Sequence, residues 1–383
     1  WLLCEALYWS SSRERMKSKY LILFFLTGVL TIAYSLGADN HLSASSVYLS
    51  DEIPDSPFKS ADTVRLAFTG DIMMGTTYPD TALPSKGGRF LFNDTKATLR
   101  KADLAFGNLE GTLCDSGVSR KTVSKISYAF RTPTSMSWLL KDAGFDFLSL
   151  ANNHSLDFGW DGLKSTEHVL DSLGIKYAGV KGRKEWTVIE KNGLRIGICA
   201  FGHNHYTVLH TDSSTVFRLL TMIRPKVDIL VVSFHGGAEG RTRSHLPYGK
   251  EIFYEENRGN LRDFAHYCVD LGDDVVFGHG PHVVRCMELY RGRLIAYSLG
   301  NFCTPKGISI SGVSGDAQIL TLEVNRKGEF LQGKIIPFIQ RWGIGPRQDK
   351  TGAVIRQIRQ LSIEDIPNNQ LLIDRNGVVR RKK

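Results

Sequence analysis

Short apolar runs that each break off into a polar motif constrain this chain more than any other feature. Most of the runs are continuous rather than alternating, as expected for strands covered on both faces. After them come Gly70-Asp71-Ile72-Met73, Gly107-Asn108-Leu109-Glu110-Gly111, Ala151-Asn152-Asn153-His154-Ser155-Leu156-Asp157, Phe234-His235-Gly236-Gly237, Gly278-His279-Gly280-Pro281-His282 and Ser298-Leu299-Gly300-Asn301-Phe302. The first five carry Asp, Glu, Asn and His, which ligate hard or borderline divalent metals. Loops at strand ends are where an α/β scaffold builds a site, because the sheet fixes where each loop starts. A single motif of this kind is weak, but five in the same local context point to a shared site.

The runs lie at 64–69, 103–106, 145–150, 194–200, 228–234, 274–277, 294–298 and 318–324. Helical spacing appears between them, most clearly over 160–173 and 260–271. In the second stretch Leu261, Phe264, Ala265 and Cys268 share a face, and Gly272 supplies the stop. Strand–helix alternation argues for an α/β domain with much parallel sheet. From about 287 to 324 the pattern turns to hairpins, with Arg291-Gly292 as a turn signal. The ligand motifs span residues 71 to 282 without a linker, so one domain with two packed sheets is expected over 61–345. Residues 346–383 are polar and basic and read as a tail outside the core.

The N-terminus bears on compartment. Residues 20–38 hold no charged side chain, with Arg13, Arg15, Lys17 and Lys19 before them and Asp39 after. This reads as an export signal or membrane anchor within an N-terminal segment 1–38, placing the following domain outside the cytoplasm. Ser35-Leu36-Gly37 offers a small-x-small cleavage site, so a cleaved signal and a retained anchor both fit. Met16 reads as the start, with the residues before it an upstream extension that carries no fold argument. Residues 39–60, rich in Ser, Asp and Pro, read as a linker. The net charge of +9 is partly terminal and suits an anionic polymer or lipid surface. No recognition motif with interleaved aromatics accompanies it, so nucleic-acid binding is not expected. Cys4, Cys114, Cys199, Cys268, Cys286 and Cys303 form no C-x-x-C pair and read mostly as small buried residues.

A carboxylate after a strand is often only a cap or turn residue. Asp71 and Glu110 together with the later histidines shift the balance toward metal, and Glu110 is the better bridging candidate. Asn153 offers a neutral oxygen, His154 can protonate a leaving group, and Asp157 can orient His154. An Asx turn at Asn152 would explain the asparagines but not the histidine that follows. His235 ends the most apolar strand. His279 and His282 flank Gly280-Pro281 and form the strongest local signal. His203 and His205, in Gly202-His203-Asn204-His205, are substrate contacts, extra ligands or ordinary loop residues. No nucleophile elbow, Walker A loop or dinucleotide fingerprint is present.

As a set these motifs, with His235-Gly236-Gly237-Ala238-Glu239-Gly240 and Tyr297-Ser298-Leu299-Gly300-Asn301-Phe302, resemble the CapA family of poly-γ-glutamate capsule synthesis proteins over about residues 62 to 340. The resemblance implies a calcineurin-like metallophosphatase-type fold, a four-layer α-β-β-α sandwich of two mixed sheets. It implies a membrane-anchored, extracytoplasmic bacterial protein. Carried onto matching positions, it makes Asp71 and His282 ligands of one metal, Glu110 the bridge, and Asn153, His235 and His279 ligands of a second. His154 becomes the general acid. Asn152, His203, His205, Glu239 and Asn301 are then candidates for contact with substrate. Three positions depart from the phosphatase pattern: Met73 stands where a ligand His is usual, Glu110 where Asp is usual, and two residues rather than one separate His279 from His282. Glu239 is a candidate to compensate.

Two functions follow as expectations. One is a metal-dependent hydrolase or transferase acting on a phosphoester or on an amide of an anionic envelope polymer such as poly-γ-glutamate. The other is a non-catalytic, polymer-holding partner of a membrane polymer synthase. The ligand mix suits one or two divalent ions and does not separate Mn, Zn, Fe and Mg.

Overall fold

A computed structural model describes residues 62–119, 121 and 127–383. The N-terminal segment 1–38 and the linker 39–60 lie outside the described residues. Among those described, no helix is long and apolar enough to cross a membrane. They all fall within one compact unit, Glu52–Lys383.

Two mixed sheets form the middle of that unit. The first has ten strands. Its main path runs Leu371–Ile373, Val378–Arg381, Phe330–Arg341, Asp316–Asn325, Thr63–Ile72, Leu104–Leu109, Phe147–Ser149, Lys176–Ala178. The last four are parallel, and Asn301–Cys303 pairs in parallel with the end of Thr63–Ile72. The second sheet has six strands, in the order Met287–Tyr290, Arg293–Ala296, Val275–His279, Ile229–His235, Leu194–Phe201, Trp186–Lys191. Its four central strands are parallel. Its first two strands make the expected hairpin, and Arg291 (φ 48°) and Gly292 (φ 77°) supply the left-handed pair that a tight two-residue turn requires.

Side-chain alternation along each strand sets the layers. Leu66, Phe68, Leu104 and Phe106 of the first sheet share a buried cluster with Ile196, Ile198, Val231 and Phe277 of the second. Phe68 and Phe277 meet across this seam with ring centroids 4.7 Å apart. The intervening Ala67, Ala105 and Leu148 face Leu99, Leu139, Leu163 and Leu170 of the helices Lys96–Lys101, Trp138–Ala143 and Gly159–Ser172. On the far side, Cys199, Leu230, Val232 and Val276 pack on Val216, Leu219, Phe264 and Cys268 of Ser213–Ile223 and Leu261–Asp270. The result is the expected α-β-β-α sandwich. Gly159–Ser172 and Leu261–Asp270 lie where helical spacing predicted them, the second N-capped by Asn260. The five described cysteines are buried and unpaired.

Residues 346–383 correct the expectation of a tail. Their helix Ala353–Glu364 buries Val354, Ile355 and Ile358 in the core between the sheets, and Leu371–Ile373 and Val378–Arg381 extend the first sheet. The segment also covers the edge strand of the second sheet. Met287 N donates to Ser362 Oγ (2.9 Å), Leu289 N to Asn369 Oδ1 (3.2 Å), and Asn369 Nδ2 to Met287 O (2.7 Å). Those bonds satisfy an edge that would otherwise be open to other strands. The apolar positions at helical spacing were present in the sequence but diluted by Arg and Gln on the outer face. Ile358→Ala is therefore expected to lower unfolding stability by about 2–5 kcal/mol in urea titrations; an unchanged midpoint would return the segment to the periphery.

Candidate metal centre

The carboxyl ends of the parallel strands in both sheets converge. Asp71 lies at the end of Thr63–Ile72, Glu110 just past Leu104–Leu109, and His235 and His279 are the last residues of their strands. Glycine makes the approach possible. A Cβ on Gly70 would lie 1.9 Å from Gly300 O, and one on Gly280 (φ 116°) 2.5 Å from Gly236 O. The first contact lets Asp71 N donate to Gly300 O (2.9 Å), which sets Asp71 beside Asn301.

Asp71, Glu110 and His282 bring one ligand atom each within 4.8 Å of one another. Both carboxylates are fully buried. His282 Nδ1 donates to Asn301 Oδ1 (3.0 Å) and Asp71 Oδ2 (3.2 Å), while Nε2 lies 3.5 Å from Glu110 Oε1. Asn301 Nδ2 donates to the carbonyls of His282, Ser309 and Ser314, so its oxygen is the atom turned to the imidazole. His282 holds φ at 59°, a costly conformation for a non-glycine residue and one that gathers at functional sites. Burial opposes charge on His282, but Glu110, Asp71 and Glu239 outweigh it and hold the pKa up at about 10.

Around this trio lie polar atoms with no partner. Both oxygens of Glu110, both ring nitrogens of His235, Nδ1 of His279 and Oδ1 of Asn153 are buried without a hydrogen bond. His279 donates Nε2–H to Thr69 O (3.0 Å) across the two sheets, so its unpartnered nitrogen is the one bearing the lone pair. Burial pushes the His235 pKa well below its ordinary value, which keeps that ring neutral. His235 Nε2 lies 3.5 Å from Glu110 Oε1. Unsatisfied buried groups cost about 1–3 kcal/mol each, and so many at one point are the mark of a site whose partner is a cation. The residues fit a divalent metal.

His154 stands beside this cluster. Its Nδ1 is 2.9 Å from Asp157 Oδ2, which also accepts from Phe130 N (2.7 Å). Lys121 Nζ pairs with Asp157 Oδ1 (2.7 Å) and approaches His154 Nδ1 (3.2 Å). The Phe130 ring packs on the imidazole at 4.4 Å between centroids. Asp157 thus holds the His154 ring through Nδ1.

Other expected residues have different surroundings. Asn152 is fully buried and spent on the protein. Its Nδ2 donates to Asn108 Oδ1 (2.9 Å) and Leu109 O (2.8 Å), and its Oδ1 accepts from His154 N (3.0 Å). Asn152 and Asn301 were expected to touch substrate, but both are buried braces of the cluster. His205 is exposed with its ring against Tyr206, and no bond ties it to the centre. His203 lies behind His235, ring centroids 5.8 Å apart, with Nδ1 against His235 O (3.3 Å). Glu239 joins the rim, Oε2 at 3.8 Å from His282 Nε2. Met73 is buried among Phe130 and Ile308 rather than among the ligands. Sequence reasoning missed Asn108, whose Nδ2 donates to Asp71 Oδ1 (2.9 Å), and it missed Lys121 and Arg258. Asn108 was visible within a motif already singled out; Lys121 and Arg258 sit in segments with no local signal.

The chain matches the family model described as "Bacterial capsule synthesis protein PGA_cap" over residues 65–306. It is 28% identical over 271 residues to the "PGA biosynthesis protein CapA" of Bacillus subtilis (strain 168), covering 67% of each chain. With the "Capsule biosynthesis protein CapA" of Bacillus anthracis it shares 27% identity over 273 residues, 66% of this chain and 63% of that one. The chain thus spans about two thirds of the length of these relatives. Among solved structures, a 5'-nucleotidase precursor from Thermus thermophilus aligns over 72% of this chain and 54% of that one, at TM-score 0.42 and 12% identity. A calcineurin-like phosphoesterase of Bacillus subtilis aligns over 80% and 99%, at TM-score 0.40 and 10% identity.

His210 backs this cluster without belonging to it. It is buried with neither ring nitrogen partnered by a side chain, in a niche walled by Gly236 and Gly259. Burial and the neighbouring His203 push its pKa down to about 3. The unfolded chain takes up a proton near pH 6.5 that the folded chain refuses until about pH 3, so His210 removes stability as pH falls through that window. One such group contributes a slope of up to about 1.4 kcal/mol per pH unit. His210→Asn is expected to flatten the acid side of a stability–pH curve measured by urea unfolding, whereas an identical curve would show that the ring titrates normally.

Proposed function

The chain belongs to the bacterial capsule synthesis protein family, and from that premise we propose that it is an extracytoplasmic, membrane-anchored protein of capsule or poly-γ-glutamate assembly with a metal-dependent, phosphoesterase-like hydrolytic centre. The observation that carries the catalytic part is the set of buried, unpartnered ligand atoms on Glu110, Asn153, His235 and His279 beside Asp71 and His282. The extracytoplasmic placement rests on the charge pattern of residues 13–39. A bound divalent metal would supply a water acidic enough to act as hydroxide near neutral pH.

The chain's own residues supply the rest. Asp71, Glu110 and His282 would hold one ion, and Glu110, Asn153, His235 and His279 a second. His154, oriented by Asp157, would give its proton to the leaving oxygen or nitrogen. Lys121 pairs with Asp157 and lies against His154 Nδ1, which puts positive charge near the ring and favours an anionic substrate. A pocket of about 270 Å³, lined by residues that include Tyr78, Lys121, Tyr128 and Phe130, shares Lys121 and Phe130 with the surroundings of His154. A second reading, a polymer-holding partner of a membrane synthase without catalysis, is favoured by Met73, which takes the place of a ligand His and turns into an apolar cluster.

The full-length chain, purified in detergent without chelator, tests this. Bound metal that falls in His279→Ala supports the centre. A screen of phosphoesters and polyglutamate should then find an activity that His154→Ala lowers by about 10²–10⁴-fold with metal content intact. Full activity in that variant rules out the acid role. A wild-type chain that takes no metal, even with Mn or Zn added, favours the polymer-holding reading.

A further inference from the structure

We propose that Glu239 supplies the coordination position that Met73 does not fill, completing the metal position formed by Asp71, Glu110 and His282 with a third carboxylate held in place by Arg258. The inference rests on the metal-centre reading above and adds a ligand to it.

Met73 itself cannot serve. It is 1% exposed, packs with Phe130 and Ile308, and its terminal methyl lies against Gly307. Its side chain is committed to an apolar wall. On another side of the cluster, His282 Nε2 lies 3.5 Å from Glu110 Oε1 and 3.8 Å from Glu239 Oε2. His282 Nδ1 is already engaged by Asn301 and Asp71, so Nε2 is the nitrogen free to ligate, and it looks toward both glutamates. The two Glu110 oxygens are fully buried and unpartnered, so the demand for positive charge is concentrated at this point.

Glu239 lies just outside the group of Asp71, Glu110 and His282 whose ligand atoms fall within 4.8 Å of one another, and a small shift of its free carboxylate oxygen would bring it in. Arg258, 5% exposed at its side chain, donates from Nη1 to Glu239 Oε1 (2.9 Å) and pairs through Nη2 with Glu256 Oε2 (2.9 Å). One carboxylate oxygen is thus fixed from behind, and the other is left toward His282. The backbone sets the same approach. Gly236 N donates to His279 O (2.9 Å) and Gly240 N to Pro281 O (3.0 Å), so the loop bearing Glu239 runs beside the loop bearing His282. Ala238 N donates to Glu251 Oε2 (2.9 Å), and Glu251 forms a buried two-bond pair with Arg285. The loop is therefore anchored on both sides of Glu239.

The chemical consequence is an asymmetric centre. Asp71, Glu110, Glu239 and His282 make an oxygen-rich, strongly anionic position suited to a hard cation such as Mn²⁺ or Mg²⁺. Asn153, His235 and His279 make the other position richer in nitrogen. Replacing an imidazole at position 73 by a carboxylate at 239 would thus change which metal the first position prefers.

The test is Mn²⁺ binding to the chelator-stripped full-length chain, read by calorimetry and by the electron paramagnetic resonance signal of free Mn²⁺. Glu239→Gln is expected to weaken, by about tenfold or more, the same equivalent that His282→Gln loses, and to leave the equivalent lost in His235→Asn unchanged. Glu239→Asp keeps the charge but shortens the reach, and it should weaken that same equivalent too. Melting temperatures in chelator serve as the folding control, and Glu239→Asp stands in if Glu239→Gln misfolds. Wild-type affinity in Glu239→Gln overturns the inference. Wild-type affinity in Glu239→Asp alone reduces Glu239 to a distant charge and overturns it equally. A wild-type chain that binds no metal at all sinks the metal-centre reading itself, a result separate from either.

Discussion

Asp71 and Glu110 are carboxylates with no exposure to solvent, set where the strand ends of two sheets meet, and the rest of the structure follows from that placement. Burying an ionised carboxylate costs several kcal/mol unless charge or hydrogen bonds compensate it. Asp71 is compensated from both sides, by Asn108 on one oxygen and His282 on the other. Glu110 is not: it has only imidazole nitrogens at 3.5 Å. A fold that selects such a residue has a use for its unmet demand. Within the chain itself the positive charge is carried by His282, and the left-handed backbone of that residue is part of the cost of holding it there.

The sandwich makes this arrangement rigid. His279 reaches from the second sheet to Thr69 O of the first, and Asp71 N reaches to Gly300 O. The second contact depends on backbones approaching more closely than any side chain would allow, at Gly70 against Gly300, and Gly280 makes a similar approach to Gly236. Asn108 then carries the position of Asp71 to Asn152, and Asn152 carries it to the backbone of His154. A chain of fully used amides ties Asp71 to His154. Asn152 and Asn301, read from sequence as substrate contacts, are thus among the reasons the site keeps its shape.

Strand ends and their polar motifs were legible because period and position coincide there. A continuous apolar run ending in Asp, Glu or His needs no tertiary knowledge to be noticed, and Asp71, Glu110, His235, His279 and His282 were read that way. What escaped were residues whose role exists only through a partner far away in sequence. Lys121 acts through Asp157, and Arg258 through Glu239. The helix Ala353–Glu364 was hidden for another reason. Its buried face, Val354, Ile355, Ile358, Leu361 and Ser362, includes a serine, and Arg and Gln fill most of the positions between, so composition outweighed period.

Met73 shows why a lost ligand need not mean a lost site. Its side chain packs on Phe130, whose backbone N donates to Asp157 (2.7 Å) and whose ring covers His154 at 4.4 Å. Met73 builds the apolar wall behind Phe130, which bonds Asp157 through its backbone and covers His154 with its ring. Glu239, braced by Arg258, faces His282 instead. On the proposal that Glu239 ligates, the side of the cluster at Met73 is left to hold Phe130 against His154. Under that proposal the ligand number would be kept and the oxygen content raised, and the identity of residue 239 would depend on the identity of residue 73.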